Sequence, residues 1–360
     1  MIKTNHLTKA TMLLATSIFT LSSFAQNSEP MFEEIIVTAE KRSESLQDLS
    51  QAVTVLSGVD LDNRQISTFV DLSAIAPGVN VAKNEGFKTV ITIRGVGYET
   101  NQNAIATPSV SYHLDGIYVA SPYSLQTDFL DLERVEVLRG PQGTLFGQNS
   151  TGGAINVVTK TPTTDETYGS ADLTLGDHGL FKVRAGFNRP LGDNLAMRAS
   201  FISNIRDGFT ENLSNGQDLD DADSFSARVR LKYEPSDTFR ANFMAQIFDE
   251  DRNGAAQKGI IDPTPDPRQL RQNSTTEHKL EAQLFSAVLE WDLENFSVKS
   301  LTSYQVDDIL VRRDNDRNDL SYLPPFALLP SEYDPETNKQ TTVTQEINLV
   351  SSEPMFGKLD

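Results

Sequence analysis

The chain has 360 residues, a net charge of −19 and no cysteine. Without cysteine, disulfides, thiolate metal sites and cysteine nucleophiles are excluded. The acidic charge argues against duplex binding, which needs clustered Lys and Arg to displace counterions from phosphate. After the N-terminus no run of about 18 apolar residues predicts a membrane-spanning helix. Membrane β-strands remain possible, because alternating lipid-facing and lumen-facing residues average to moderate polarity.

Residues 1–25 have the pattern of a secretory signal peptide. Lys3 and Lys9 supply a positive start, and residues 12–21 form a short apolar stretch. Small residues at Ser23 and Ala25 favour cleavage before Gln26. An ordinary N-terminal helix is the alternative interpretation. We predict that the mature chain is exported.

Residues 26–44 are predicted to be a flexible segment that contains one isolated strand-forming stretch. The stretch consists of Glu34, Ile35, Ile36, Val37, Thr38 and Ala39. An extended segment near a flexible terminus can add itself to the edge of another protein's sheet. An internal strand of the following domain is the other interpretation.

Residues 45–161 are predicted to form a mixed α+β domain. We expect strands at 53–56, 89–93, 110–114, 117–119, 132–138 and 154–159, and short helices at 60–69 and 71–75. Asp115-Gly116 is a two-residue hairpin signal that favours a type I′ turn. The glycine-rich stretch 139–153 has neither of the common phosphate-binding patterns, so it indicates tight turns with closely packed backbone.

From Pro162 onward, apolar and polar residues alternate in long strands. The connections near Gly192, Ser236 and Asn295 are short, whereas those at about 206–223, 249–277 and 306–340 are long and polar. Short periplasmic turns and long extracellular loops are typical of outer-membrane barrels. Basic residues repeatedly occupy the face opposite the apolar one.

The apolar pattern also predicts strand registers. A hairpin centred on His178 pairs Leu175 with Phe181 and Leu173 with Val183. A turn at Ser236 pairs the following residues: Tyr233 with Phe239, Leu231 with Ala241, Val229 with Phe243, Ala227 with Ala245, and Phe225 with Ile247. A slip by one residue would mix the two faces.

About eight strands are expected before residue 351. An eight-stranded barrel has room only for side chains, whereas barrels with a plugged lumen have about 22 strands. The fold class expected is therefore an α+β domain followed by an antiparallel transmembrane β-barrel. Residues 162–360 would be its N-terminal part, and we expect the chain to be a fragment.

The order of these segments resembles the TonB-dependent outer-membrane receptor family over nearly the whole chain after residue 25. Glu34 to Ala39 is similar to the family's TonB box, and 93–95, 112–119, 133–141 and 143–160 resemble recurring motifs of its plug domain. Within those motifs lie Gly95, Asp115, Gly116, Gly140, Pro141, Gly143, Gly152 and Gly153. The resemblance implies active import of a scarce ligand across the outer membrane of a Gram-negative bacterium.

That resemblance also implies partners and roles. The partners are TonB with its inner-membrane proton-driven complex, outer-membrane lipid, and a small-molecule or metal-chelate ligand bound on loops at about 98–108 and 118–123. Arg94 and Arg139 resemble plug arginines that hold the plug to barrel glutamates. Glu346 should face the lumen, where it is either their partner or a solvated carboxylate.

Other functions are weighed against this one. Ferric siderophore is the expected ligand, with cobalamin, haem and oligosaccharide as alternatives, and a passive porin is the alternative from a different class. The acidic run Asp218, Asp220, Asp221 and Asp223 lacks the glycine of a calcium loop, which favours a solvated loop over a cation site. No catalytic motif supports a periplasmic hydrolase, so we expect no enzyme activity, no cofactor, no metal site and no nucleic-acid partner.

Overall fold

The structure is a computed structural model that describes residues 36–37, 44–45, 51–84, 86, 88–97, 108–121, 129–319 and 333–351. Within these residues, strands dominate and helices are short. None of the helices in the described ranges is long and apolar enough to cross a membrane.

The N-terminal part, here termed the plug region (51–160), is an α+β unit built around a five-stranded sheet. Its elements, with the short hairpin that precedes them, are β1 (Ile36–Val37), β2 (Glu44–Ser45), β3 (Val53–Ser57), α1 (Gly58–Asn63), a 3₁₀ helix (Val70–Ala74), β4 (Val79–Asn84), β5 (Lys88–Ile93), β6 (Val96–Gly97), β7 (Val110–Leu114), β8 (Ile117–Tyr118), β9 (Leu132–Arg139), α2 (Gly143–Phe146) and β10 (Gly153–Thr159). The five-stranded sheet has the order β3-β9-β10-β7-β8, and β4-β5-β6 form a separate meander.

The core of the plug region forms where the 3₁₀ helix packs on the sheet. Phe69 is 1% exposed and meets Tyr112 and Phe129 edge to face, at centroid distances of 5.0 and 4.9 Å. Such aromatic pairs add to the gain from burial itself. Leu72 and Ile93 are fully buried beside them. This core holds the helices against the strands that carry the site described below.

The rest of the chain forms a long antiparallel sheet, here termed the wall sheet, and a small sheet in its loops. The strands are β11 (Tyr168–Leu175), β12 (Phe181–Gly192), β13 (Leu195–Arg206), β14 (Thr210–Asn212), β15 (Asp218–Leu219), β16 (Ala222–Ser236), β17 (Phe239–Arg252), β18 (Gln269–Leu270), β19 (Glu277–Asp292), β20 (Phe296–Asp314) and β21 (Tyr333–Ser351). The wall sheet has the order β11-β12-β13-β16-β17-β19-β20-β21, whereas β15-β14-β18 form the small sheet.

The two faces of the wall sheet differ in chemistry. One face packs on the plug region, for example through Met244, Val288 and Leu301. On the other face, Phe225 and Val229 are 41% and 43% exposed, in line with many other large apolar side chains. Exposed apolar area of this extent is unusual for a protein surface in water and indicates an apolar environment.

The eight predicted strands are present, and the apolar faces predicted for β11 to β17 are exposed. The last two strands are longer than predicted, because β20 ends at Asp314 and β21 begins at Tyr333, where a connection over about 306–340 was expected. One register also differs from the prediction. The hairpin around His178 has the predicted pairs, Leu173 with Val183 and Leu175 with Phe181. At the next predicted hairpin, by contrast, Tyr233 pairs with Ala241 and Phe225 with Asp249, two residues away from the prediction. An irregularity between Tyr233 and Ser236 causes the shift. A shift of two residues keeps every side chain on its face, so the apolar pattern could not detect it.

Three further elements differ from the sequence-based expectation. The first helix ends at Asn63 rather than at residue 69, and Gln65 then adopts a left-handed backbone with φ 56°. The predictions omitted β4, which pairs along its whole length with β5. They also omitted the small sheet β15-β14-β18, whose strands are too short to show a periodic pattern.

Candidate functional site

The predicted TonB box is described only at its centre. Ile36 and Val37 form β1, which pairs antiparallel with Ser45 and Glu44 of β2. Four other residues of the predicted box, Glu34, Ile35, Thr38 and Ala39, lie outside the described residues. The described part is therefore extended backbone, the conformation that strand addition requires.

The three residues predicted to hold the plug region to the wall lie in different places. Arg94 is exposed, and its backbone N–H donates to the carbonyl of Gly78 at 2.7 Å. Arg139 donates to the hydroxyl of Thr54 within the plug region. Glu346 is half-buried on the inner face of β21 and accepts a bond from Asn348 at 2.8 Å. Their joint role stays a prediction.

A different set of arginines joins the wall sheet to the plug region. Arg198 of β13 and Arg228 and Arg230 of β16, here termed the arginine cluster, are each less than 10% exposed on the inner face. Arg198 and Arg230 are direct partners across the two strands. Like charges placed opposite one another destabilise a sheet unless something neutralises them. The inner face is therefore suited to receive an acidic partner.

Asp131 of the plug region is the partner of Arg198. Its carboxylate accepts from Nε at 2.5 Å and from Nη2 at 2.7 Å, and its side chain is 8% exposed. A two-point arginine–carboxylate pair fixes orientation as well as charge. The carbonyl of Asp131 also accepts the backbone N–H of Lys160 at 3.0 Å. Asp131 therefore connects the start of β9 with the end of β10 and with the wall sheet.

The two arginines of β16 contact the neighbouring backbone. Arg228 donates to the carbonyl of Leu130 at 2.7 Å. Arg230 donates to the carbonyl and hydroxyl of Thr159 at 2.9 and 2.5 Å, and lies 3.6 Å from the Asp115 carboxylate. Hydrogen bonds from buried charged donors to backbone carbonyls contribute more to stability than hydrogen bonds from neutral donors. The arginine cluster therefore holds residues 129–160, here termed the anchored segment.

The sequence did not predict these contacts. They run from wall arginines to plug carboxylates, whereas the predicted set, which stays a prediction, has arginines on the plug and a glutamate on the barrel. Asp131 belongs to none of the predicted motifs. The basic residues on the inner phase of β13 and β16 were visible as a pattern, and this pattern is the sequence signal that could have identified the interface.

The predicted Asp115-Gly116 turn is present and contributes to the same interface. Both residues have positive φ, 52° and 81°, as a type I′ turn requires. The Asp115 carboxylate accepts the backbone N–H and the hydroxyl of Thr159 at 2.9 and 2.8 Å. The turn therefore places a carboxylate between β10 and Arg230, which explains why aspartate suits this position.

The other predicted plug-motif residues, apart from Gly95, lie at the start of β10 or in the loop that precedes it. Gly140, Pro141 and Gly143 lie between β9 and β10, and Gly152 and Gly153 lead into β10, whereas Gly95 is in the turn after β5. The backbone N–H of Gly140 donates to the carbonyl of Gly152 at 3.2 Å. This hydrogen bond closes the loop between β9 and β10 on itself.

A second seam of contacts, formed by neutral groups and separate from the arginine cluster, joins the plug region to the wall sheet. Gln305 of β20 donates to the carbonyl of Tyr118 at 2.7 Å, and Ile117 packs against Val288 and Leu301. A small cavity lies in this seam, with Tyr112 on the plug side and Gln305 on the wall side. Burial raises the pKa of the Tyr112 phenol, which keeps it protonated. The contacts named here are amide and apolar ones, whereas those of the arginine cluster are charged, and the buried Asp307 also lines the cavity.

The predicted acidic loop has a structural role. Asp220 accepts the backbone N–H of Ala256 at 3.0 Å, and Asp221 accepts that of Asn253 at 2.9 Å. Burial raises the pKa of the Asp221 carboxyl. These bonds connect the loop after β15 to the loop after β17. Nowhere in the described ranges do three or more His, Asp or Glu side chains come together to hold a metal ion.

Comparison with known proteins found a family model that matches the N-terminal part of the chain. Residues 45–154 match the family model described as TonB-dependent Receptor Plug Domain. Residues 45–154 are therefore similar to the plug domain of TonB-dependent receptors. The matched range includes most of the plug region, and the wall sheet packs against it.

Curated relatives extend the likeness beyond the plug. The pesticin receptor of Yersinia pestis is 28% identical over 298 residues, which cover 76% of this chain and 43% of that receptor. The pesticin receptor of Yersinia enterocolitica matches at the same identity and coverage. The chain spans less than half the length of the curated relatives it matches.

Solved structures share the fold of this chain. The ferric yersiniabactin uptake receptor of Yersinia pestis has a TM-score of 0.68 at 19% identity, over 84% of this chain and 46% of that one. The ferripyoverdine receptor of Pseudomonas aeruginosa has a TM-score of 0.70 at 16% identity, over 87% and 41%. The ferric-catecholate import receptor of E. coli has a TM-score of 0.65 at 17% identity, over 89% and 49%.

Proposed function

We propose that this protein imports a ferric siderophore across the outer membrane, with TonB supplying the mechanical work. One observation carries the proposal. A plug is fastened to one face of a long antiparallel sheet whose other face exposes large apolar side chains, among them Phe225 and Val229. A folded domain behind a lipid-facing wall suits a gated importer better than an open pore. The structural relatives named for ferric yersiniabactin, ferripyoverdine and ferric catecholate support iron chelates as the ligand class.

In this proposal the signal peptide at 1–25 exports the chain, and the box at 34–39 couples it to TonB in the periplasm. The extended backbone of Ile36 and Val37 adds to the edge of a TonB strand. Main-chain hydrogen bonds then transmit the pull to the plug, and Arg94, Arg139 and Glu346 contribute to its release. Iron enters as cargo, held by its chelator.

The test is to replace Ile36 by proline. Proline removes a backbone N–H and fixes φ, so it should prevent strand addition, whereas alanine keeps the backbone bonds. We expect uptake to fall at least tenfold in the proline variant and to stay within about twofold of wild type in the alanine variant.

The measurement is accumulation of radioactive iron by cells that lack the native protein and express each variant. Iron is presented in parallel as ferric yersiniabactin, ferripyoverdine and a ferric catecholate, with and without a proton uncoupler. Equal outer-membrane amounts of both variants are the control. Uncoupler-insensitive uptake, or undiminished uptake by the proline variant, would show a passive pore instead.

A further inference from the structure

A third group of contacts joins the plug region to the wall sheet, at the turn between β4 and β5. The backbone carbonyl of Gly86 in this turn accepts a hydrogen bond from Nη2 of Arg252 at 2.8 Å. Arg252 is the last residue of β17 and precedes the long loop that leads to β18. Long loops are typical of the extracellular end of an outer-membrane barrel. In the proposed importer, this contact therefore lies at the end of the wall where a ligand arrives.

Two neighbouring side chains orient the guanidinium of Arg252. Glu250 lies two residues earlier on the same face of β17, and His278 of β19 is the direct cross-strand partner of Arg252. Oε1 of Glu250 lies 3.1 Å from Nε of Arg252 and 2.7 Å from Nδ1 of His278. The side chains of Arg252, Glu250 and His278, here termed the Arg252 group, are 11%, 8% and 2% exposed. Water and salt therefore screen the ion pair little, and the guanidinium is held in one orientation.

The turn itself approaches the wall very closely. Gly86 has φ 78°, and a Cβ built on it would lie 2.1 Å from Cβ of Ala255, in the loop after β17. Two carbon atoms cannot pack at that distance, so glycine is needed for the close approach as well as for the positive φ. A side chain at position 86 would push the turn away from Ala255 and from Arg252.

The base of the β4–β5 hairpin is held inside the plug region. Val81 and Ile91 are direct partners across the hairpin and are 5% and 7% exposed. The backbone N–H of Val81 donates to Oγ of Ser73 at 2.7 Å. Nearer the turn, Ala82 and Lys83 are exposed. The hairpin is therefore fixed in the plug core at its base and on the wall at its turn.

We propose that Arg252 is a positioning residue for ligand binding, because it holds the β4–β5 turn against the wall and so fixes the plug surface that receives the ligand. The proposal rests on the proposed function and deepens it, since it names a wall residue that sets ligand affinity without touching the ligand. β5 pairs with β6, which leads into the loop at about 98–108 that is expected to bind ligand. Residues 98–107 of that loop lie outside the described residues.

Two substitutions displace the turn by different means. Arg252→Gln removes the charge and shortens the side chain that reaches the turn, whereas Gly86→Ala introduces the steric clash with the loop after β17. Arg312→Gln is the control for the first substitution, because Arg312 is a wall arginine whose side chain is 44% exposed. Gly216→Ala is the control for the second. Gly216 also has a positive φ, 73°, but no atom lies within 4 Å of a Cβ built on it.

The first measurement is the rate of iron uptake at increasing concentrations of ferric yersiniabactin, ferripyoverdine and a ferric catecholate, at equal outer-membrane amounts of each variant. Arg252→Gln and Gly86→Ala should raise the half-saturating concentration about tenfold, because ligand binds only the molecules whose turn is in place. The maximal rate should stay within about twofold, because saturating ligand restores the bound state. Both controls should leave the half-saturating concentration unchanged. A lower maximal rate at an unchanged half-saturating concentration would overturn the proposal, since it would show a role in folding only.

The second measurement is hydrogen exchange of the purified protein without ligand. Asn84 pairs with Lys88 beside the turn, and their amides should exchange about tenfold faster in Arg252→Gln, because a hydrogen bond from a charged donor is lost. Amides of β9 and β10 should be unaffected. Arg252→Lys keeps the charge and a donor, so it should lie between the unmodified protein and Arg252→Gln in both measurements. Unchanged exchange in Arg252→Gln would overturn the positioning role alone, whereas failure of the unmodified protein to import any of the three chelates would count against the proposed function.

Discussion

Replacing Asp131 by asparagine should weaken the attachment of the plug by about 3–5 kcal/mol, because a buried arginine loses its counter-charge. The Arg198 side chain is 2% exposed and donates twice to this carboxylate. Asparagine has nearly the same size, and it tolerates the left-handed backbone at position 131, where φ is 54°. The loss of stability therefore measures the effect of removing the charge, because the size and backbone conformation of the residue are kept. The measurement is the urea concentration at which the plug of the membrane-embedded protein becomes susceptible to protease.

Asp62→Asn is the matched control. Asp62 of α1 also joins the plug region to an arginine of the wall, Arg184, at 2.8 Å, but its side chain is 49% exposed. Exposed pairs of this kind contribute at most about 1 kcal/mol. Removing both charges, with Asp131→Asn and Arg198→Gln, should recover part of the loss, because no uncompensated charge stays buried. Equal urea midpoints for Asp131→Asn and Asp62→Asn would contradict the assigned importance of burial.

The sequence allowed us to predict which face of the wall sheet a residue occupies. It did not allow us to predict which residues pair across neighbouring strands. Alternation at Phe225 and Val229 correctly predicted the exposed apolar face. The same alternation cannot distinguish a register from one shifted by two residues, and the irregularity after Tyr233 produced that shift. The geometry of the turn sets the register. Residues 234–238 contain turn-forming Pro, Ser and Asp, but they lack the two-residue signature that specifies one turn type. The hairpin at His178, where φ is 56°, was predicted in its correct register.

The candidate site was partly predictable for a related reason. Asp115 and Gly116 were identified because a type I′ turn has strong local residue preferences, and that turn supplies a carboxylate to Arg230. Asp131 has no such local signature. Its role depends on the approach of Arg198, which lies 67 residues further along the chain. Contacts between distant segments require the packing of the plug on the wall, which periodicity does not encode.

Replacing Gly153 by valine should destabilise the plug by about 3 kcal/mol or more, because backbone strain and overpacking act together. Gly153 has φ 148°, a conformation that residues with a side chain rarely adopt. A Cβ at this position would lie 2.3 Å from the carbonyl oxygen of Leu138 and 2.8 Å from Cδ1 of Ile93. The Leu138 oxygen is backbone in β9, next to β10, so relief requires the two strands to separate. Separation would also pull Thr159 and the anchored segment away from Arg230.

Gly143→Ala is the control for Gly153→Val, since both glycines belong to the same predicted motif. No atom lies within 4 Å of a Cβ built at Gly143, which begins α2. The Gly143→Ala substitution should leave the stability of the plug unchanged or raise it by up to about 1 kcal/mol, because alanine reduces the conformational freedom of the unfolded chain. Hydrogen exchange at the amides of β9 and β10 distinguishes the two variants. Fast exchange is expected in Gly153→Val alone, and protected amides in that variant would mean that the strand pair accommodates a side chain at this position.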